Sequence, residues 1–192
     1  MAGMEAPHNS PAPETAHAPS AVTAPAQVTT QVAARLDVTS PEQMQALGRR
    51  IAGLLRPGDL VMLSGELGAG KTTLTRGLGE GLGVRGAVTS PTFVIARVHP
   101  SLRGGPALVH VDAYRLGGGL DEMEDLDLDV SLPESVVVVE WGDGKVEELS
   151  DDRLQVQIHR AVGDTDDEQR SVTLVGIGER WSGLGAALEA GL

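Results

Sequence analysis

Eight residues in the first half of the chain have the types and spacing needed to bind a polyphosphate. Residues 65–72 read Gly-Glu-Leu-Gly-Ala-Gly-Lys-Thr and match G-x-x-x-x-G-K-[ST] at every fixed position. Glycines let such a loop wrap closely, so that successive backbone N–H groups point at phosphate oxygens. Lys71 supplies a cation for the β- and γ-phosphates, and the Thr72 hydroxyl is placed to ligate Mg²⁺. The predicted nucleotide contacts are Gly65, Glu66, Leu67, Gly68, Ala69, Gly70, Lys71, Thr72 and Thr73.

The sequence on either side of this loop supplies the strand and the helix that the motif requires. Residues 59–64 form an apolar run of strand length, and Leu74, Leu78 and Leu82 recur at helical spacing after the loop. A helix that begins at the loop adds its free N–H groups and the positive end of its dipole to a phosphate site. The alternative is a glycine-rich turn without a ligand, which the flanking elements disfavour.

Two later apolar runs end in a carboxylate. Residues 136–139 are four valines, typical of a strand covered on both faces, and Glu140 follows them. An acid-terminated strand beside the loop strand is the Walker B arrangement, in which the acid orients Mg²⁺ through water or accepts a proton from the attacking water. Asp112 ends the run 107–112 at the usual place for site residues in open α/β sheets. The simpler interpretation of either acid is a cap on the following turn or, for Glu140, a surface side chain.

Three groups near these positions each have two interpretations. The hydroxyl side chains of Thr89, Ser90 and Thr92 crowd one loop after the phosphate-loop helix. Triphosphatases place a γ-phosphate sensor in such a loop, and a turn that satisfies its own backbone is the alternative. His110 is more simply a buried, hydrogen-bonded histidine than a proton carrier. Trp141 either covers the site or seals a strand edge.

Composition narrows the class of protein. A chain of 192 residues with 41% apolar residues suits one domain plus a tail. The net charge of −12 disfavours a protein that grips nucleic acid by itself. The absence of cysteine excludes disulfides and thiolate chemistry. No apolar run reaches the length of a membrane span and no signal pattern is present, so we expect no membrane partner and a cytoplasmic location.

The chain divides into three predicted parts. Residues 1–31 are rich in Ala, Pro, Thr and Ser and are predicted to form a disordered tail. Residues 32–178 are predicted to form a P-loop ATPase domain. Residues 179–192 are predicted to form a glycine-interrupted C-terminal helix or tail that is not essential.

Two further helices are predicted, one before and one after the phosphate loop in the sequence. Ser40 is a suitable N-cap, Pro41 suits the first helical position, and Gln43 completes a capping-box pattern. An acidic amphipathic helix is predicted within 117–129, with a solvated face or, less simply, a partner-docking face. The apolar face predicted for the first helix is Met44, Leu47, Ile51, Leu54 and Leu55.

Two β-hairpins are predicted from alternating patterns and turn residues. Residues 93–98 read as a strand, and the Gly/Pro-containing turn 99–106 returns the chain into 107–112. Residues 153–160 and 171–177 read as a second, terminal hairpin.

Four motifs in a fixed order resemble the bacterial TsaE family, formerly YjeE. They are GELGAGKTT (65–73), TSPTF (89–93), HVDAYRL (110–116) and VVVVEW (136–141), and the resemblance covers residues 36–160. It implies a small P-loop ATPase required for the threonylcarbamoyladenosine modification of ANN-decoding tRNAs. The implied fold is an α/β, P-loop NTPase-like three-layer domain with a mixed parallel and antiparallel central sheet, in agreement with the two hairpins.

The resemblance also assigns roles to residues. Lys71 and Thr72 would hold the phosphates of ATP and its Mg²⁺. Thr89, Ser90 and Thr92 would form a switch-like loop over the γ-phosphate. The catalytic residues so implied are Lys71, Asp112 and Glu140, and the metal-site residues are Thr72, Asp112 and Glu140.

Asp112 would act at the metal or at the attacking water, and Glu140 would be the Walker B-like acid. The chain departs from the family at two places. Residues 142–144 read Gly-Asp-Gly where family members often have Pro or a small residue followed by an acid. Met44 stands where they often have Thr, near the presumed adenine side.

The implied partners are homologues of TsaD and TsaB, with the transferase chemistry in TsaD and tRNA reached only indirectly through the complex. ATP hydrolysis would then reset that complex between turnovers. Two other functions use the same loop, a small-molecule P-loop kinase and a nucleotide-sensing binding module. The kinase is disfavoured because the sequence contains no Arg-rich lid. The sensor is disfavoured because a protein that only binds nucleotide does not need both Asp112 and Glu140. A GTPase is disfavoured because no N-K-x-D-like guanine reader follows residue 100.

Overall fold

The computed structural model describes residues 29–89, 95–115, 127, 131–141, 143–144, 147–160 and 169–190. Residues 1–28 of the predicted tail lie outside the described residues, and so do Ser90 and Thr92 of the predicted switch loop. Of the predicted acidic helix, Asp127 alone is described. None of the helices in the described segments has the length and apolar composition of a membrane span.

A seven-stranded mixed sheet organises the fold. Its strands are β1 (Thr30–Val38), β2 (Leu60–Gly65), β3 (Ala96–His99), β4 (Ala107–Asp112), β5 (Ser135–Glu140), β6 (Arg153–Arg160) and β7 (Arg170–Ile177). The order across the sheet is β1-β7-β6-β2-β5-β4-β3. The four inner strands β6, β2, β5 and β4 run parallel to one another, whereas β1–β7, β6–β7 and β3–β4 are antiparallel pairs. The mixed sheet and both predicted hairpins are confirmed. Strand β1 begins at Thr30, two residues before the predicted start of the domain at residue 32.

Within the described segments, three α-helices accompany the sheet: α1 (Pro41–Ala52), α2 (Lys71–Leu82) and α3 (Leu184–Ala190). Helix α1 begins as predicted, because the Ser40 hydroxyl accepts a hydrogen bond from the Gln43 N–H at 3.2 Å. The Gln43 side chain differs from the predicted capping box. It accepts from the N–H of Thr39 at 2.8 Å, one residue before the N-cap. Both bonds hold the chain at the angle at which it enters α1.

Each face of the sheet buries its own apolar core. On one face α1, α2 and α3 cover inward-facing residues of the central strands in a single cluster. On the other face residues of β2, β4 and β5 pack with Leu132 and Leu149 from short 3₁₀ turns. A strand covered on both faces carries a continuous apolar run, which is why β5 reads as four consecutive valines.

The C-terminal segment contributes more than its sequence pattern predicted. Trp181, Leu184 and Leu188 are buried in the same core as α1 and α2. Their spacing is helical, but the intervening glycines weakened the pattern. These side chains complete one side of the core, which argues against the expectation that the segment is not essential.

Helices α1 and α2 cross at glycines. A methyl group on Gly77 of α2 would collide with the carbonyl oxygen of Gln45 in α1, and one on Gly48 would collide with that of Leu74. Because α1 and α2 cross this closely, packing against α1 fixes the position of α2, which begins at Lys71.

We expect Gly77→Ala to lower the free energy of unfolding by about 1–3 kcal/mol, the usual cost of overpacking. Within a helix, alanine is more favourable than glycine by about 1 kcal/mol, so helix propensity alone predicts that the variant is more stable. Gly185→Ala in α3 is the matched control, because its nearest neighbour is the Ala33 carbonyl oxygen at 3.6 Å. Denaturant unfolding of both variants decides the matter. Equal stability of the two variants would contradict the close crossing.

Candidate functional site

The sheet order brings the predicted site residues to one edge. Strands β2, β5 and β4 are neighbours and parallel, so their carboxyl ends lie side by side. In register, Asp112 of β4 lies opposite Glu140 of β5, and Glu140 lies opposite Leu63 of β2. The loop after β2 therefore begins beside both acids. This confirms the predicted placement of an acid-terminated strand next to the phosphate-loop strand.

Two glycines shape the loop. Gly65 has φ of +149°, and a side chain there would collide with the Ile158 carbonyl of β6. Gly70 is the N-cap of α2 with φ of +110° and provides no side-chain cap. The N–H groups of the first turn of α2 thus lack a capping side chain from this residue. Uncapped N–H groups at a helix N-terminus form a ready site for an anion.

Lys71 is held at the base of the loop. Its Nζ donates hydrogen bonds to the carbonyl oxygens of Gly65 at 2.8 Å and Glu66 at 2.9 Å. An ammonium group has three donors, so these bonds leave one. Burial lowers the pKa of Lys71, and the carboxylates of Glu140 and Asp112 partly oppose this shift. A phosphate at the loop would add a further negative charge and favour the charged lysine.

Glu140 is buried and hydrogen-bonded, which rules out the interpretation as a surface side chain. Its exposed fraction is 4%. Its Oε1 accepts a bond from the Thr72 hydroxyl at 3.4 Å and faces His110 Nε2 at 2.8 Å. His110 is itself fully buried, as its simpler interpretation predicted. The structure thus brings together Thr72, the acid of β5 and a histidine of β4.

Asp112 caps a turn, as its simpler interpretation predicted, and its role at the site stays a prediction. Its Oδ1 accepts a hydrogen bond from the Tyr114 N–H at 3.1 Å and so caps the turn that follows β4. The same residue lines the cleft that contains Lys71, Thr72 and Glu140. One carboxylate therefore serves a turn and faces the site.

Aromatic rings cover this cleft. The Trp141 ring lies over Lys71, with 4.0 Å between Nζ and the ring centroid. Tyr114 meets Trp141 in a tilted pair with centroids 5.4 Å apart. Trp141 has φ of +61°, an unusual value for a bulky residue. Its covering role is confirmed, whereas Tyr114 was not predicted as part of the site.

The cleft has a volume of about 750 Å³, within the range of small-molecule sites. Its polar lining combines the lysine ammonium with the Thr72 hydroxyl and the two carboxylates. Carboxylate and hydroxyl oxygens are the ligands that Mg²⁺ prefers. Among the described residues, no group of three or more His, Asp or Glu side chains could hold a metal ion without further ligands. The Thr72 hydroxyl and the two carboxylates fit a magnesium ion that takes its remaining ligands from phosphate oxygens and water, as nucleotide-bound magnesium does.

A second, smaller hollow lies on the α1 side of the same loop. It shares Gly68, Gly70 and Thr73 with the cleft, so the two are contiguous. Met44 lines it, and the placement of this residue near the adenine stays a prediction. Arg170 of β7 also lines it and was not predicted. The residues around the hollow are Ser40, Pro41, Met44, Gly68, Ala69, Gly70, Thr73 and Arg170.

Thr89 is the described member of the predicted switch loop. It is exposed and accepts a hydrogen bond from Arg97 Nη1 at 3.1 Å. It is not among the described residues that line the cleft. A role over the γ-phosphate stays a prediction.

Residues 38–172 match the family described as "Threonylcarbamoyl adenosine biosynthesis protein TsaE". The chain belongs to the TsaE family. A TsaE protein of Streptomyces coelicolor is 78% identical over 148 residues, which cover 77% of this chain and 100% of the relative. TsaE of Bacillus subtilis is 40% identical over 146 residues, covering 76% of this chain and 87% of the relative.

A solved structure supports the TsaE assignment. The chain is similar to the crystal structure of YdiB from Bacillus subtilis, with a TM-score of 0.65 and 32% sequence identity. The similarity covers 85% of this chain and 96% of YdiB. The curated relatives are named tRNA threonylcarbamoyladenosine biosynthesis proteins, and this TsaE family member has a role in that process. The predicted family and α/β fold class are confirmed.

Proposed function

We propose that this TsaE family member binds ATP with Mg²⁺ in the cleft and hydrolyses it for threonylcarbamoyl modification of adenosine in ANN-decoding tRNAs. It acts with homologues of TsaD and TsaB and reaches tRNA only through that complex. The observation that carries the proposal is the convergence of Lys71, Thr72 and Glu140 on one cleft beside an uncapped helix N-terminus. These groups meet the needs of a triphosphate and its metal ion.

Each site residue has a defined task in this proposal. The N–H groups at the start of α2 and the Lys71 ammonium bind the β- and γ-phosphates. Thr72 would hold the magnesium ion, which when bound neutralises charge on the phosphate oxygens. Glu140 and Asp112 face the same region and orient or deprotonate the attacking water. Buried carboxylates suit this task because weak solvation strengthens their interactions.

In this proposal the adenine base would occupy the smaller hollow. It continues the cleft on the α1 side, and Met44 offers an apolar, adaptable contact for a purine. The planar guanidinium of Arg170, on the same hollow, can stack on a ring or donate hydrogen bonds to it.

Hydrolysis measurements with and without partners test the proposal. We expect slow ATP hydrolysis by the full chain alone and faster hydrolysis with TsaD and TsaB from the same cell. No stimulation, with ATP binding intact, would remove the partner-dependent function. Phosphoryl transfer to a small acceptor would instead indicate a kinase. Binding without hydrolysis under every condition would indicate a nucleotide sensor.

Lys71→Ala is expected to weaken Mg–ATP binding by about 10- to 150-fold. A charge-assisted hydrogen bond contributes about 1.5–3 kcal/mol, and the variant loses such a contact to the phosphates. Titration calorimetry measures the change. Arg35→Ala is the matched control, because it removes one positive charge from an exposed position on β1. Equal affinities of the two variants would contradict the assignment of Lys71 to the phosphates.

A further inference from the structure

We propose that His110 is a positioning residue whose imidazole holds the Glu140 carboxylate in its working orientation. This inference rests on the proposed function, because Glu140 is the acid to which that function assigns the attacking water. His110 lines neither the cleft nor the hollow and would act only through its neighbour. Motif positions alone do not indicate this pairing.

The sheet register makes the contact possible. His110 lies opposite Val138, and Asp112 lies opposite Glu140, on parallel neighbouring strands. Residues two apart on a strand point to the same face, so His110 lies diagonally across from Glu140. The distance from His110 Nε2 to Glu140 Oε1 is 2.8 Å. The histidine is fully buried and the glutamate is 4% exposed, so bulk water does not compete for this bond.

The surroundings assign the direction of the bond. Among the described residues, the other ring nitrogen of His110, Nδ1, is buried without a hydrogen-bond partner. A ring that carries its hydrogen on Nε2 donates to Glu140 and leaves only an acceptor unpaired. The opposite tautomer would set two acceptors against each other and bury an unpaired N–H, which is costly. The structure therefore assigns the Nε2–H tautomer and makes His110 the donor.

The bond restricts the movement of one carboxylate oxygen. Glu140 Oε1 also accepts from the Thr72 hydroxyl, at the longer distance of 3.4 Å. If the Thr72 hydroxyl binds the metal ion of a bound nucleotide instead, the longer bond from Thr72 to Glu140 is the one that is lost. The shorter bond to His110 then keeps the carboxylate from rotating away. His110 thus provides an orientation that does not depend on the site being occupied.

Three substitutions of His110 separate positioning from packing. His110→Gln places an amide N–H near the position of Nε2, whereas His110→Asn places it near Nδ1, out of reach of Glu140. His110→Leu fills the space without a donor. We expect kcat to fall about 10-fold or more in the Leu and Asn variants, the size of one lost hydrogen bond to a charged group. The Gln variant should recover most of kcat, and Mg–ATP affinity should stay within about threefold of the parent because His110 does not touch the nucleotide site.

A double mutant shows whether His110 acts through Glu140. We expect His110→Leu to cause little further loss when added to Glu140→Gln, because residues of one hydrogen-bonded unit are not additive. An equal loss in both backgrounds would overturn the proposal, and so would a Gln variant no faster than Asn at equal stability. If the Leu variant does not fold, the Gln and Asn pair decides the question.

An imidazole signal tests the contact without activity. The proton on His110 Nε2 should give an exchange-protected resonance in the nucleotide-free protein that shifts in Glu140→Gln and is absent in His110→Asn. An active parent with unaffected His110 variants would overturn this inference alone. A parent without ATP hydrolysis under any condition, despite the resonance, would overturn the proposed function.

Discussion

Glu140→Gln is expected to bind Mg–ATP nearly as well as the parent and to lose turnover by about 100-fold or more, the range of a general acid or base. Glutamine keeps the shape of the side chain and an oxygen that can accept the bond from His110. The glutamine amide cannot accept a proton from the attacking water, and it lacks the negative charge that orients this water. The loss therefore falls on kcat rather than on affinity.

Steady-state hydrolysis with the partner proteins and calorimetric binding measure the two effects separately. Glu134→Gln is the matched control, because Glu134 is an exposed residue just before the opposite end of β5. The control should keep both affinity and turnover. If Glu140→Gln lost affinity and turnover to the same degree, Glu140 would be a binding residue and the proposed role would fail.

Arg180→Met is expected to destabilise the protein by about 3 kcal/mol, the cost of leaving a buried charge without its partner. Arg180 Nη2 and Nε bond to the two oxygens of Asp59 at 2.8 and 3.0 Å, and Nη2 also reaches the Leu54 carbonyl at 2.8 Å. The side chain of Asp59 is only 5% exposed. Methionine keeps much of the length of the side chain but leaves the carboxylate without its cation, with the Arg56 N–H still donating to Asp59 Oδ2 at 2.9 Å.

Denaturant unfolding measures this effect, with Arg160→Met at an exposed position of β6 as the control. The double variant Arg180→Met, Asp59→Asn should regain part of the lost stability, because the uncompensated charge is gone. Asp59 lies just before β2, at the end opposite the phosphate loop. The folded fraction of Arg180→Met should therefore bind Mg–ATP normally. A loss no larger than that of the control would show that the pair contributes little.

Local patterns account for much of what was predicted. A phosphate loop is encoded by neighbouring residues, since glycine freedom, the lysine and the hydroxyl must all act within one turn. The valine run of β5 indicates a strand covered on both faces, and the acid at its end follows directly from the sequence. The hairpins β3–β4 and β6–β7 are likewise encoded by short alternating runs and the turns between them.

Local sequence patterns did not predict the contacts between segments that are distant in the chain. Residues 179–192 were predicted to be dispensable because their short apolar stripe is informative only beside the core that it completes. Arg170 follows the phosphate loop by about a hundred residues, and no local pattern places it beside Met44. The sheet order, with β6 and β7 on one side of β2, determines that proximity.

The sequence by itself determined the polyphosphate loop, the acids that end two strands and the family to which they belong. These depend on residue types at short spacing, where backbone geometry leaves few alternatives. Only the tertiary structure decided that His110 faces Glu140, that Trp141 covers Lys71 and that Arg180 neutralises Asp59. Such pairings depend on strand order and register, which arise from packing of the whole chain because no local segment encodes its neighbour.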